Sequence, residues 1–342
     1  MLFRFTFAHH QRYEVDQLAS QETLRTRDRA GADSGVLRYA LKRLVVAAPT
    51  LFVIITVSFF LIRVAPGGPF DLIPNMDPAA AENLRKAYDL DKPLLEQYGN
   101  YLAKLARGDL GPSLAYRDRN VAELIAEGLP VSAQLGLTAI LLGLFGGMMC
   151  GIAAALRKNS AADFTVMAVA MTGVAIPTFV TAPLLTLFFG LYLGWLPISG
   201  WNNGQLAHII LPVVALALPT MAGIARITRG SMLESLSADH VRTARAKGLP
   251  EWKVIARHVL RPACMPVVSY LGPAIAGAMT GSVVIETIFG LPGIGRAFVE
   301  GALNRDYSLI LGIVIVYAAL IILLNLLADM IYGWLDPRVR PQ

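Results

Sequence analysis

Residues 238–262 read ADHVRTARAKGLPEWKVIARHVLRP, a short basic stretch built from helix-forming residues. One apolar run, from Ile209 to Ala225, precedes it, and another, from Met265 to Phe289, follows it. Apolar runs of this kind cross membranes as helices, because a helix pairs every backbone polar group internally. The stretch is therefore expected to be a structured surface between two spans, on the side of the membrane where positive charge collects.

The rest of the composition also predicts a membrane protein. Of the 342 residues, 55% are hydrophobic and 16% are charged, and the charge lies between apolar runs. Because a Lys or Arg at a helix centre costs on the order of 3 kcal/mol, six runs that contain neither are predicted to be membrane spans. They cover residues 44–62, 131–156, 164–193, 207–225, 265–289 and 308–327. The net charge of +6 does not indicate nucleic-acid binding, because the basic residues lie at the ends of these spans.

The distribution of basic residues predicts the orientation. Twenty Lys and Arg lie on the side that carries both termini and residues 226–262, against ten on the other side. Both termini are therefore expected in the cytoplasm. Residues 1–35 are polar and lack the apolar region of a signal peptide, so they are either a disordered cytoplasmic tail or the product of a start codon assigned too early. The predicted units that follow are a first span with its lead-in (36–63), an extracytoplasmic segment (64–130) with helices near 78–90 and 94–107, and a core domain (131–340).

Several motifs of catalysis and nucleotide binding are missing from the sequence. The pattern G-x-x-x-x-G-K-[ST] does not occur, nor do Gly-x-Ser-x-Gly, His-Glu-x-x-His or Cys-x-x-Cys. Cys150 and Cys264 lie far apart, in or beside apolar runs, and are expected to be buried thiols. Glu286 and Asp329 lie at span ends, which leaves no evident proton or sodium relay. The chain is therefore predicted to be neither an enzyme nor a metal or cofactor protein.

The basic stretch itself divides into two predicted helices. Ser237 or Asp239 is expected to cap the first helix, which Gly248 and Pro250 end. Its small residues Thr243, Ala244 and Ala246 are predicted to be exposed and to let another protein approach closely. In the second helix, apolar residues share one face at helical spacing: Trp252, Ile255, Ala256, Val259 and Leu260. That helix is either a second docking element or an interfacial helix whose charges meet lipid headgroups.

This stretch resembles the cytoplasmic EAA loop of the permeases of ABC importers. Arg242-Thr243-Ala244, followed by Gly248, has the spacing of the motif, with Arg and Thr in place of Glu and Ala. The form RTARAKGL is similar to the peptide-permease branch of that family. So are five other segments: GDLGPS (108–113), ARITRGSM (225–232), ETIFGLPGIG (286–295), ALNRDYSL (302–309) and DPR (336–338). Together these segments extend the resemblance from about residue 36 to residue 340.

The resemblance implies the transmembrane domain of a type I ABC importer in a bacterial inner membrane. Such a subunit pairs with a second, paralogous permease, is driven by two cytoplasmic ATPases and receives peptides from an extracytoplasmic binding protein. The residues implied to contact an ATPase are Asp239, Arg242, Thr243, Ala244, Arg245, Ala246, Lys247 and Gly248. Nickel, glutathione or oligosaccharide cargo remains an alternative within the family, and a self-sufficient secondary transporter is an alternative outside it.

The translocation pathway is less evident from the sequence. Pro177 and Pro183 in the third span and Pro212 and Pro219 in the fourth are candidate gate residues, because proline breaks can open backbone groups onto a cavity. Kinks that only shape helix packing are the alternative. Gly143, Gly146, Gly147 and Gly151 lie at small-residue spacing in the second span and are predicted to pack helices together.

Overall fold

A computed structural model describes residues 45–65, 67, 68, 82, 86, 89–116 and 118–335, with side chains up to residue 331. The predictions for residues 1–35 and the DPR motif lie outside these residues, as does nearly all of the helix expected near 78–90. The described residues form helices and connecting loops without a strand; a single bridge pairs Pro112 with Asn120. The all-α fold is confirmed.

Ten helices of eight residues or more are present in the part of the chain that the structure describes. They are α1 (Val45–Val64), α2 (Leu94–Leu105), α3 (Val121–Leu156), α4 (Ala161–Ala175), α5 (Thr178–Leu185), α6 (Leu206–Ser237), α7 (Asp239–Ala246), α8 (Met265–Phe289), α9 (Ile294–Leu303) and α10 (Tyr307–Leu335). Among these residues, α1, α3, α6, α8 and α10 are long and apolar enough to cross a membrane, and α4 with α5 forms a sixth, bent candidate.

Helix α3 begins ten residues before the predicted span. Asn120 is its N-cap, and Glu123 completes a capping box by accepting a hydrogen bond from the Asn120 backbone N–H. The helix runs for 36 residues, about 54 Å at 1.5 Å per residue, which is longer than a hydrocarbon core. Its first turns therefore extend beyond the apolar layer, and Pro130 lies inside the helix without ending it.

The third predicted span is not one helix. The axes of Ala161–Ala175 and Thr178–Tyr192 differ by 109° across the break at Ile176 and Pro177. The proline disfavours helical backbone at the residue before it, and Ile176 is extended, with φ −102° and ψ 120°. Beyond α5, residues Thr186–Tyr192 are π-helical. The predicted span over 164–193 is therefore broken, at one of the prolines predicted as gate candidates.

The centre of the bundle is the packing of α3 against α6. An added Cβ on Gly147 would lie 2.6 Å from the Met221 carbonyl oxygen, and one on Gly151 would lie 2.6 Å from that of Ala225. A Cβ at Gly143 would meet Thr220 at 3.0 Å. The prediction that these glycines pack helices together is confirmed, since only glycine permits such an approach.

The two ends of α3 mark the two ends of the bundle. Ala155, near the end of α3, packs with Met232, Val241 and Val259; this is called the α7 end. Val121 and Ile125, at the start of α3, pack with Ile294, Leu309 and Ile313; this is called the α9 end. Helix α2 belongs to the α9 end, because Leu110 just beyond it packs against the second cluster.

Candidate functional site

Helix α7 holds the residues that the sequence singled out. Its N-cap is Ala238, which has no capping side chain, and the Ser237 hydroxyl instead donates to the Glu234 carbonyl oxygen at 2.8 Å. The expected cap by Ser237 or Asp239 is therefore wrong. The helix stop is confirmed: Gly248 has φ +76°, a left-handed conformation that favours glycine.

One side of α7 is anchored in the bundle. Val241 and Ala244, three residues apart and so on one face, are 0% and 4% exposed. They pack into the cluster that contains Ala155, Met232 and Val254. The prediction that Ala244 is exposed is wrong, because the small residue serves close packing inside the protein.

The other side of α7 is open to its surroundings. Its exposed residues are Asp239, His240, Arg242, Thr243, Arg245 and Ala246, followed by Lys247 and Gly248. A Cβ added at Gly248 would meet nothing within 4 Å. Seven of the eight candidate residues are therefore exposed, three of them basic and one acidic, and Ala244 supports this surface from beneath.

Polar contacts tie α7 to the helical residues 251–263. The Arg245 guanidinium donates to both carboxylate oxygens of Glu251, at 2.6 Å and 3.2 Å. This hydrogen bonding lowers the pKa of Glu251 below its usual value. The Nε2 of His240 lies 3.1 Å from the His258 carbonyl oxygen. These exposed contacts fix the orientation of α7 more than they add stability.

The helix after α7 departs from the predicted pattern. Residues Ile255–Val259 are π-helical, which shifts the faces of the helix. Val254 and Val259, five residues apart, are both fully buried, whereas Trp252 is 67% exposed. The expected apolar face through Trp252 and Val259 is therefore wrong. The Lys253 ammonium lies 5.4 Å from the centroid of the exposed Trp252 ring.

An ion pair that the sequence did not reveal joins the start of α4 to the last turns of α6, at the α7 end. Asp163, in the first turn of α4, accepts two hydrogen bonds of 2.7 Å from Arg229 of α6. The Asn159 backbone N–H also donates to this carboxylate, at 2.9 Å. Such bidentate pairs are strong and directional. Arg229 belongs to the motif ARITRGSM, so this segment positions α4 against the helix that leads into α7.

The four candidate gate prolines lie in different settings. Pro177 is the N-cap of α5, at the 109° break, and is exposed. Pro183 lies inside α5, three residues before the π-helical part. Pro212 is buried and Pro219 half-buried inside α6, which continues through both. Only Pro177 marks a break between helices.

At the α9 end, the quoted motifs GDLGPS and ALNRDYSL meet. Asp306 is fully buried, and its carboxylate accepts from the Ser113 hydroxyl at 2.5 Å and from the Ala115 backbone N–H at 3.1 Å. Its other oxygen accepts from the Leu309 N–H at 3.0 Å, which caps α10. One carboxylate therefore fixes both the loop before α3 and the start of the last span.

The motif ETIFGLPGIG folds around a second buried carboxylate. Glu286 is fully buried near the end of α8, and its Oε2 accepts from the backbone N–H groups of Gly295 and Arg296, at 2.7 Å and 3.2 Å. These are among the first N–H groups of α9, where negative charge is favoured. The Ser132 hydroxyl of α3 accepts from the neighbouring Ile294 N–H at 2.9 Å. The sequence placed Glu286 at the end of a span, but this role in fixing α9 was not predicted.

Further charged groups line a concave surface beside α9. Glu300 accepts a hydrogen bond from the Tyr116 hydroxyl at 2.6 Å and another from Arg296 at 2.7 Å. The bond from Tyr116, followed by that from Arg296, holds the pKa of Glu300 below its usual value. Burial, followed by the Glu300 hydrogen bond, raises the pKa of Tyr116 to about 12. With Trp201 and Glu127, these residues border an open cavity of about 560 Å³.

Two family models match the sequence. Residues 147–341 match the binding-protein-dependent transport system inner membrane component. Residues 36–136 match the N-terminal part of the membrane component of binding-protein-dependent transport systems.

Individual relatives extend over most of the chain. The oligopeptide transport system permease protein OppB of Escherichia coli (strain K12) is 52% identical over 305 residues, which are 89% of this chain and all of that protein. OppB of Haemophilus influenzae is 50% identical over the same shares of the two chains. The dipeptide transport system permease protein DppB of Bacillus subtilis is 43% identical over 303 residues, 89% of this chain and 98% of that protein. A crystal structure of an amino acid ABC transporter with histidines aligns at 17% identity and a TM-score of 0.47, over 64% of this chain and 95% of that chain.

Proposed function

Because this chain belongs to the family of binding-protein-dependent transport system inner membrane components, we propose that it is the permease subunit of an ABC importer that takes up oligopeptides or dipeptides. The proposal of a peptide cargo rests on the 52% identity with an oligopeptide permease over 305 residues. The relatives are transport permeases, so separate subunits would hydrolyse ATP and an extracytoplasmic protein would deliver the peptide.

The exposed side of α7 is proposed as the contact with one ATPase. Three features support this role: the surface is exposed, its net charge is positive, and its side chains are small at Thr243, Ala246 and Gly248. The anchors at Val241 and Ala244 and the Arg245–Glu251 pair would let α7 move only with the bundle. A movement of the ATPase would then pass to α6 as a rigid-body displacement.

This role requires the α7 end of the bundle to face the cytoplasm. The excess of Lys and Arg in the segments predicted on that side supports the orientation. The α9 end would then face outward, where a binding protein would release its peptide. A second, paralogous permease would complete the pathway, and both termini of this chain would be cytoplasmic.

Pro177 is the strongest of the four proline candidates for a gate. It lies at the only break between two helices of the candidate spans, among the described residues. A sharp break concentrates bending at one point. Pro183, Pro212 and Pro219 lie within helices, where packing alone can account for them.

Reconstitution tests the proposed function. The chain is purified with the proteins encoded beside it, placed in lipid vesicles with ATP on the cytoplasmic side, and supplied with binding protein and labelled tripeptide. Uptake should require ATP, both ATPases and the binding protein. Uptake by this chain alone under an ion gradient would contradict the proposal.

Substitution of Gly248 separates coupling from assembly. Gly248→Asp places a carboxylate on the open surface of α7, and ATP hydrolysis should continue while uptake falls at least about tenfold. Gly248→Asn is the matched control, because Asn, like Asp, is enriched at positive φ but has no charge. This variant should keep most of the uptake. Wild-type uptake by Gly248→Asp, with normal insertion, would remove α7 from the coupling path.

A further inference from the structure

A small cavity lies at the α9 end, between the end of α1, helix α2 and the start of α10. Its volume is about 150 Å³, room for about five waters at the roughly 30 Å³ that each occupies in the liquid. Basic and hydrogen-bonding side chains from three helices border it: Arg63 from α1, Gln97, Asn100, Tyr101 and Lys104 from α2, and Ser308 from α10. The cavity is separate from the concave surface beside α9.

The guanidinium of Arg63 is held in a fixed position beside this cavity. Its Nε donates to Gln97 Oε1 at 2.9 Å, and its Cζ lies 3.6 Å from the centroid of the Phe59 ring. The Gln97 amide is itself fixed, because it donates to the Lys92 carbonyl oxygen at 2.8 Å. The cation is therefore positioned by neutral groups, and none of these contacts neutralises its charge.

Two polar atoms beside the cavity are shielded from solvent and lack a hydrogen-bond partner among the described residues. They are Nη1 of Arg63 and the hydroxyl oxygen of Tyr101. Burial raises the pKa of Tyr101 to about 12, so the hydroxyl keeps its proton and can donate. Buried polar groups are normally paired, and a shielded cation favours a counter-charge.

The acids that border the cavity are engaged elsewhere. The Asp89 carboxylate lies 3.0 Å from the Lys92 ammonium. Asp109 accepts from the Gly111 backbone N–H at 2.8 Å. Across the described part of the chain, no acid lies within ion-pair distance of Arg63 or Lys104.

We propose that this cavity binds a small oxyanion of the size of a carboxylate or a phosphate group. Arg63 Nη1 and the Tyr101 hydroxyl would donate to its oxygens, and Lys104, at the exposed mouth, would add a second positive charge. The bound anion would connect α1 with α2 and thereby hold α2 against the end of α1. This inference is independent of the proposed cargo.

Thermal unfolding of the purified full-length chain in lipid nanodiscs tests the site. Sodium acetate and, separately, inorganic phosphate are titrated at constant ionic strength against a bulky sulfonate salt. A ligand that binds only the folded state stabilises it by RT ln(1 + [L]/Kd), so the unfolding midpoint rises logarithmically once the concentration exceeds Kd, and the onset of the rise gives Kd. Acetate, phosphate or both should do so, whereas the bulky sulfonate should not.

Three variants assign the effect to the cavity. Arg63→Gln should raise the apparent Kd for acetate at least about tenfold, which corresponds to about 1.4 kcal/mol. Tyr101→Phe removes one hydroxyl oxygen and should raise the apparent Kd about threefold or more. This variant provides the test if Arg63→Gln fails to fold. Arg119→Gln removes a partly exposed cation that is paired with Glu127 outside the cavity, and it should leave the Kd unchanged. A midpoint that does not respond to anions, or responds equally in wild type, Arg63→Gln and Tyr101→Phe, overturns the proposal.

Discussion

The contact between α3 and α6 predicts a sharp difference between two neighbouring glycines. An added Cβ at Gly147 would lie 2.6 Å from the Met221 carbonyl oxygen and 2.8 Å from the Ile224 Cβ. One at Gly146 would meet the Met221 sulfur at 3.0 Å. Backbone cannot yield without separating the helices, whereas a methionine side chain can rotate away. Gly147→Ala is therefore expected to be destabilising and Gly146→Ala almost neutral.

The expected loss of stability in Gly147→Ala follows from the distances between the added Cβ and its neighbours. At Gly147 the closest approach is about 0.8 Å short of the 3.4 Å at which ordinary contact begins. Overpacking of this kind costs about 1–3 kcal/mol, and the better helix propensity of alanine returns up to about 1 kcal/mol. A net loss of about 1–2 kcal/mol is expected. At Gly230 of α6, where nothing lies within 4 Å of an added Cβ, alanine should stabilise by about 0.5–1 kcal/mol.

Reversible unfolding in mixed micelles, with increasing denaturing detergent, measures this series. The free energies of unfolding should rank Gly230→Ala above Gly146→Ala, and Gly146→Ala above Gly147→Ala. All three are single methyl additions within helices, so the ranking isolates what each methyl meets. Equal stability of Gly146→Ala and Gly147→Ala would refute the close packing of α3 on α6.

Three further predictions concern the polar contacts. Asp163→Asn and Arg229→Gln should each lower the yield of folded protein, and the double variant should lose no more than the worse single variant, as a double-mutant cycle would measure. Asp306→Ala should cost about 2–4 kcal/mol, from the lost α10 cap and the lost bonds to 113–115, and hydrogen exchange should rise in both segments. Because the folded pKa of Glu300 is below its usual value of 4.5, its stabilising effect is complete above that pH and is lost as the pH falls through the folded pKa. Amide protection of α9 should decrease with acid accordingly, and Tyr116→Phe should move that decrease to higher pH.

The spans were predictable because they depend on local composition. The fifth predicted span, 265–289, has the bounds of α8, and the small-residue spacing in α3 correctly indicated close packing. Helix length was harder to predict, since α3 and α6 continue beyond the apolar layer on polar residues. The predicted apolar face of residues 251–263 was wrong because it assumed the period of an α-helix. The π-helical segment is a tertiary adjustment that the hydrophobic pattern does not show.

The polar contacts were not predictable, because each joins distant parts of the chain. Ser113 and Asp306 are separated by 193 residues, and Asp163 and Arg229 by 66. The resemblance identified the segments that contain most of these residues but not which of them touch. The burial of Ala244 was missed for a related reason, since a small residue on a short helix suits a docking surface and a packed interior equally well.

The positions of these contacts suggest how the bundle would move. Helix α3 approaches the backbone of α6 closely from Gly143 to Gly151, so a force on α7 should displace both helices together. At the α7 end the Asp163–Arg229 pair adds the start of α4 to this unit, and at the α9 end Ser132 adds α9. The 109° break at Ile176 and Pro177 lies between α4, which the ion pair fixes to α6, and α5. We therefore expect a displacement of α7 to change the angle between α4 and α5 more than it changes the crossing angle between any two helices of this unit. A spin-label pair at the exposed positions Val169 and Phe188 should report that change when the assembled transporter binds ATP. A pair at Met149 of α3 and Gly230 of α6, both exposed, should report none.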